Sequence, residues 1–230
     1  RIYASAQCAL LVAMTFLFCR RVLARSLTDS VLLAAFQTIW APQMMLGSMW
    51  YDGDVTLAAL SAGLCLYAAW TRAEKSAWWN AACGVLCALA FWYKQDIGAG
   101  ALACGLALGW LRAARGGRQE RLDALALSAG ALLVFLAALL YFGAHGALSS
   151  LFYWVVQRAL EVKWGPDSGG GPTSCKLLSP FTTPVDRSSK FIVLIYLAAT
   201  ASAWWRYRRS GERRELALAA ASLLWLGSFY

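Results

Sequence analysis

Residues 47–100 decide the fold: GSMWYDGDVTLAALSAGLCLYAAWTRAEKSAWWNAACGVLCALAFWYKQDIGAG. Two apolar runs, 55–70 and 77–93, are joined by a short basic turn at 71–76. They are bracketed by charge, with Asp52 and Asp54 in front and Lys94 and Asp96 behind. Position 74 lies midway between 54 and 94. If the two runs are adjacent antiparallel helices, Asp54 and Lys94 return to the same level. Packed helix axes lie about 8–10 Å apart, close enough for a carboxylate and an ammonium to work on one bound molecule.

The chain on either side is of the same kind. Hydrophobic residues make up 60% of it and charged residues 14%, with a mean hydropathy of +0.53; soluble domains run at about 45–50% apolar and about 25% charged. The composition predicts an integral membrane protein. Most apolar runs match the length a helix needs for about 30 Å of hydrocarbon at about 1.5 Å per residue. Lipid offers backbone groups no partner, and no alternating barrel pattern is visible, so the expected class is all-α, a polytopic transmembrane helix bundle.

Eight spans are expected, at 2–19, 29–49, 55–70, 77–93, 97–111, 122–143, 191–205 and 215–230. Residues 1–143 then form a transmembrane core of six spans, 144–190 an outer loop and 191–230 two further spans. The chain starts at Arg1 and stops at Tyr230 inside an apolar run, so a fragment without its N-terminal spans is expected. The run after Arg1 lacks the basic region and small-residue cleavage site of a signal peptide. The seven cysteines lie mostly in apolar runs and read as small buried hydrophobes. Cys83 and Cys87 share a helix face without a CxxC or Cys/His cluster, so neither a metal site nor a cofactor is expected.

Basic residues set the orientation. The turns after spans one, three, five and seven hold Arg20, Arg21 and Arg25; Arg72 and Lys75; Arg112, Arg115, Arg118 and Arg121; and Arg206, Arg208, Arg209, Arg213 and Arg214. These are fourteen of the 21 Lys and Arg. The positive-inside rule puts them in the cytoplasm, and Asp52, Asp54, Lys94 and the 144–190 loop on the outer side. The net charge of +9 is thus a membrane signal, and no nucleic-acid partner is expected. The run from 77 to 111 has basic turns at both ends, so it must cross twice, with Lys94-Gln95-Asp96 at the outer turn. Gly105 and Gly109 in its second half are spaced to let a neighbouring helix approach.

The outer loop opens with LSSLFYWVVQRALEVKW, which reads as a helix in the membrane interface. GPDSGGGPTSCKLLSPFTTPVD follows and reads as irregular. Its triple glycine lacks the Lys-Ser/Thr and helix of a phosphate-binding loop.

Ionisable groups at membrane level are costly, so each needs a reason. Asp54 suits a helix N-cap, Asp52 an ordinary loop and Lys94 a snorkel to the headgroups. As a group they are harder to dismiss, because Asp52, Asp54, Lys94, Gln95, Asp96 and Arg158 gather on one face beside Tyr51 and Tyr93. His145, the only histidine, falls at the outer end of span six and is a minor candidate without a second ligand.

An acidic residue opening a helix, a short basic turn, then a helix ending in an aromatic-Lys pair resembles the polytopic C-type glycosyltransferases. These are the protein mannosyltransferases, the aminoarabinose transferases and their relatives that use polyprenyl-phosphate sugars. The matching residues are Asp54-Val55-Thr56-Leu57 and the segment from Gly84 to Gln95 that closes on Trp92-Tyr93-Lys94. Cys19-Arg20-Arg21 is similar to the family's Arg-rich turn, and the segment ending Gln157-Arg158 to an outer segment that supplies a phosphate-contacting arginine. The resemblance covers most of residues 1–165. It implies transfer of a sugar from a polyprenyl-phosphate donor to a lipid, glycan or protein acceptor on the non-cytoplasmic side, with inversion.

In that scheme Asp54 and Lys94 are catalytic, the carboxylate orienting the acceptor hydroxyl and the ammonium stabilising the departing phosphate. Arg158 binds phosphate; Asp52, Gln95, Asp96, Tyr51, Tyr93 and His145 line the substrate. The family's main catalytic aspartate lies in a first outer loop that this sequence does not contain, so Asp54 matches only its supporting carboxylate. The expected location is a bacterial inner membrane. A second reading is a transporter or flippase for an anionic lipid-linked or small solute, with Lys94 and Arg158 as binding groups. Transporters carry internal repeats and mid-membrane polar breaks, neither of which is apparent here.

Overall fold

The computed structural model describes residues 2–17, 20, 27–28, 31–32, 51–72, 75–93, 95–157 and 187–227. Within them the regular elements are helices: α1 Ile2–Leu17, α2 Tyr51–Thr71, α3 Ser76–Tyr93, α4 Gln95–Arg115, α5 Arg118–Ala144, α6 Leu148–Phe152, α7 Arg187–Ser210 and α8 Arg213–Gly227. A π-helical turn, Tyr153–Gln157, continues α6. The chain is therefore all-α across the described residues. Of the eight apolar runs, seven coincide with these helices; the run at 29–49 lies outside the described residues except for 31–32, and 158–186 lies outside them entirely.

Short connections force neighbours to run antiparallel. α2 and α3 form a hairpin through Arg72 and Lys75, and α3 and α4 turn back so sharply that a side chain on Gly98 would strike the backbone of Ala90 and Phe91. A straight continuation would leave those positions about 10 Å apart along the axis. Lys94 itself lies outside the described residues. α3 and α5 consequently run parallel, with Ser76 beside Asp123 at one end and Phe91 against Phe135 at the other. α7 ends at Gly211, whose φ of 68° suits glycine at a helix C-terminus, and α8 then packs back on α2 and α4.

The core is built of small side chains. Ala59, Ala62, Ala69, Cys83, Cys87, Ala101, Ala217 and Ala220 pack with Leu66, Leu127 and Leu224. Small residues let backbones approach, and the closest approach is between α3 and α5. A Cβ on Gly84 would meet the carbonyl oxygen of Leu127 and come 2.9 Å from Ala131 N, while one on Gly130 would meet the carbonyl oxygen of Ala81. At Gly105 and Gly109, the pair singled out by spacing, an added Cβ would meet side chains at 3.4–3.5 Å, ordinary contact. The intimate seam thus lies elsewhere than the spacing indicated.

The leucines in the second half of α5 face the other way. Leu132, Leu133, Leu136, Leu139 and Leu140 are all exposed, Leu140 by 73%. Among the described residues α5 is the one helix long and apolar enough to cross a membrane. α4 and α7 run on into charged ends, with Arg112 and Arg115 in the one and Arg208 and Arg209 in the other.

Candidate functional site

Asp54 precedes Thr71 by seventeen residues, and Tyr93 follows Ser76 by seventeen. At about 1.5 Å per residue each lies about 26 Å from the hairpin turn, so the backbone of α2 near Asp54 and the end of α3 share one level. α2 is already helical at Tyr51, which puts Asp52 and Asp54 inside its first turn. Asp54 is therefore no N-cap, because the helix begins ahead of it; in the first turn a carboxylate still suits the helix dipole. The side chains of Tyr51, Asp52, Asp54 and Asp96, and the whole of Lys94 and Arg158, lie outside the described residues.

The described candidates divide. Tyr93 is exposed and Gln95 half-buried at this end. Phe91, Trp92 and Phe135 form an aromatic cluster with ring centroids 5.3–5.9 Å apart, and Trp92 Nε1 is buried without a partner among the described residues. His145 follows α5, its ring 4.5 Å from that of Tyr141 and its Nδ1 2.7 Å from Tyr141 O. A carbonyl only accepts, so that contact requires the proton on Nδ1. His145 thus closes the helix end, with its ring against that of Tyr141 on the same helix. Among the described residues no three His, Cys, Asp or Glu gather as a metal site.

At the opposite end the structure shows a site that sequence reasoning did not pick out. The turns near Trp70, between Arg112 and Glu120, and from Trp204 to Leu216 converge around a cavity of about 460 Å³. Its lining carries Arg112, Arg115 and Arg213, the single carboxylate Glu120, and an apolar wall that includes Trp70, Leu111 and Trp204. The Arg112 guanidinium lies 5.0 Å over the Trp70 ring, and its Nη1 is buried with no hydrogen-bond partner among the described residues. Burial lowers the Arg112 pKa from its ordinary value, with the Asp123 and Glu120 carboxylates opposing that shift. At the rim, Arg206 pairs with Glu215 at 2.9 Å. The sequence signal was present in the basic turns, but three turns so far apart in the chain were read only as markers of sidedness.

Glu120 is already engaged. Its Oε2 accepts from Gly117 N–H at 2.9 Å, and its own backbone N–H adds a second bond. These bonds hold its carboxyl below the usual range, with slight desolvation opposing. Glu120 stands in the turn ahead of the apolar run 122–143. A depressed folded pKa stabilises above the unfolded value, about 4.3 for glutamate, and the contribution is lost as pH falls through the lower folded value. Glu120→Gln should therefore cost under about 1 kcal/mol at neutral pH, given its exposure, and nothing in strong acid. Thermal unfolding of both forms across pH checks this convergence.

Beside the cavity lies a buried polar knot. Ser76 Oγ donates to Asp123 Oδ1 at 2.8 Å, and Gln119 Nε2 donates to the same oxygen at 3.1 Å and to Ser76 Oγ at 3.2 Å. Asn80 Nδ2 donates to Ser76 O at 3.0 Å. Asp123 is 4% exposed, and its Oδ2 has no partner among the described residues. This knot ties the starts of α3 and α5 together.

No family model matches the chain, and no curated protein or solved structure matches it either.

Proposed function

We propose that the chain is part of a multi-pass inner-membrane glycosyltransferase that moves a sugar from a polyprenyl-phosphate donor to a lipid, glycan or protein acceptor on the non-cytoplasmic side. The observation that carries this function is the α2–α3 hairpin, whose equal arms bring the backbone at Asp54 level with the residues on either side of Lys94. Two further features support a membrane location. The leucine face of α5 is left uncovered by the described residues, whereas water-exposed surfaces rarely carry so contiguous an apolar patch. Three of the four basic turns also meet at one end of the bundle, as the positive-inside rule requires of turns on one side.

In the reaction the acceptor oxygen attacks the anomeric carbon as the bond from that carbon to the phosphate oxygen breaks. Asp54 orients the acceptor hydroxyl and supports loss of its proton. Lys94 and Arg158 meet the charge that grows on the departing lipid phosphate, a role worth most where water is excluded. Tyr51, Tyr93 and the Phe91–Trp92 pair supply aromatic surface for sugar and prenyl chain, with Asp52, Gln95 and Asp96 as polar contacts. His145 stands at the same end through the C-terminus of α5.

The test is an outer-side assay with a labelled lipid-phosphate sugar, in a protein that carries this chain together with the family's first outer loop. Lys94→Ala and Asp54→Asn should each cut transfer by at least about tenfold, as losing a transition-state donor does. Undiminished turnover in both would remove the assignment.

A further inference from the structure

We propose that the cavity at the basic end of the bundle binds a phosphate ester, presented either by an anionic phospholipid or by a soluble metabolite. It lies at the opposite end from Asp54 and does not depend on sugar transfer; its lipid source depends on the membrane reading of α5.

Charge comes first. Three guanidiniums, those of Arg112, Arg115 and Arg213, line the cavity against one carboxylate, and that carboxylate is committed to Gly117 N–H. The space therefore carries an excess of positive charge among low-dielectric walls, where attraction for an anion is least screened. Geometry follows. The Arg112 guanidinium is held 5.0 Å over the Trp70 ring while the same side chain lines the cavity beside Arg115 and Arg213. Planar guanidinium forks fit the paired oxygens of a phosphate better than a point charge would. Chloride or a lone carboxylate would leave most of the volume empty.

Size and apolarity narrow the ligand. A cavity of about 460 Å³ falls within the range of about 300–1,000 Å³ that holds a small organic ligand rather than a bare ion. Trp204 and Leu111 form an apolar wall and are themselves largely exposed, so the wall continues onto the outer surface of the bundle. An amphiphile with its phosphate on the arginines and the start of its hydrocarbon along Leu111 and Trp204 satisfies both halves. Basic pockets between membrane helices on the cytoplasmic side take anionic headgroups for this reason.

The experiment uses the purified full chain with two probes: phosphatidylcholine bilayers with or without phosphatidylglycerol, and soluble glycerol phosphate. Binding is read from ligand retention in native mass spectrometry and from the change in tryptophan fluorescence, compared with Trp204→Phe to isolate the cavity's share. The double variant Arg112→Gln/Arg213→Gln should weaken binding of at least one probe by about tenfold or more, as loss of charge-assisted bonds implies. Arg118→Gln/Arg208→Gln removes the same charge from exposed positions that do not line the cavity, and should change it by less than about twofold. The exposed Arg115→Gln, which disturbs no packing, should weaken binding even if the double variant folds poorly.

The arm that responds identifies the source: bilayers alone mean a lipid headgroup, glycerol phosphate a soluble ester. Equal loss in cavity and control variants, or no binding of either probe by the unmodified chain, would overturn the site.

Discussion

Gly130→Leu should prevent α5 from seating on α3 and leave a chain that unfolds at far lower temperature or is cleaved rapidly by protease in detergent. A Cβ at this position has nowhere to go, since the first atom it meets is the carbonyl oxygen of Ala81 and the next nearest are that residue's carbonyl carbon and Cα. Backbone on the opposite helix cannot rotate away as a side-chain tip can, so the helices must separate. Ordinary overpacking costs about 1–3 kcal/mol, and a clash with backbone in the tightest seam of the bundle should exceed it. Gly84→Leu should do the same from the other side, against Leu127 O and Ala131 N. Gly109→Ala is the control. Its added methyl would meet Leu127 Cδ1 at 3.5 Å, and replacing a helical glycine should recover up to about 1 kcal/mol. Equal unfolding temperatures for Gly130→Leu and Gly109→Ala would mean that α3 and α5 do not touch as described.

This contrast shows what the sequence could and could not convey. Helices were legible because apolar runs broken by charged turns leave few alternatives, and seven of those runs coincide with helices. Their antiparallel succession was legible too, because turns as short as Arg72 to Lys75 permit nothing else. The parallel seam between α3 and α5 was not. It joins helices that are not consecutive, and glycine spacing along one helix says nothing about which partner's backbone it will meet. Gly105 and Gly109 have the recognised four-residue interval, yet Gly84 and Gly130, on different helices, make the close contact.

The convergence of charges was missed for a related reason. Arg112, Arg115 and Arg213 served to orient the chain, and that purpose hid their convergence on one cavity. Asp123 escaped notice because it sits one residue inside an apolar run, where its partner Ser76 is 47 positions away. That the backbone at Asp54 shares a level with the end of α3 at Tyr93 was legible, because two equal helical arms determine it; Lys94 itself lies outside the described residues. Side-chain direction is a separate matter, set by helix rotation, and no counting along the chain supplies it.

Ser76→Ala should destabilise the bundle by about 1.5–3 kcal/mol, more than a surface serine would, because it strips a donor from a buried carboxylate. Asp123 Oδ1 is held by Ser76 and Gln119 alone among the described residues, at 2.8 and 3.1 Å, and Oδ2 by neither. A buried charge with so few donors is poorly compensated, and losing one of them approaches the cost of breaking a buried ion pair from one side, about 3–5 kcal/mol. Asp123→Asn removes the charge but keeps an acceptor oxygen for both donors, so it should cost less than Ser76→Ala despite altering the more polar residue. In the Asp123→Asn background, Ser76→Ala should then lose about half its effect, since only a neutral hydrogen bond remains to be broken. Chemical or thermal unfolding of the four forms in one detergent measures the coupling. If Ser76→Ala costs the same in both backgrounds, the hydroxyl is not supporting a charge, and Ser76 and Asp123 are not coupled as described.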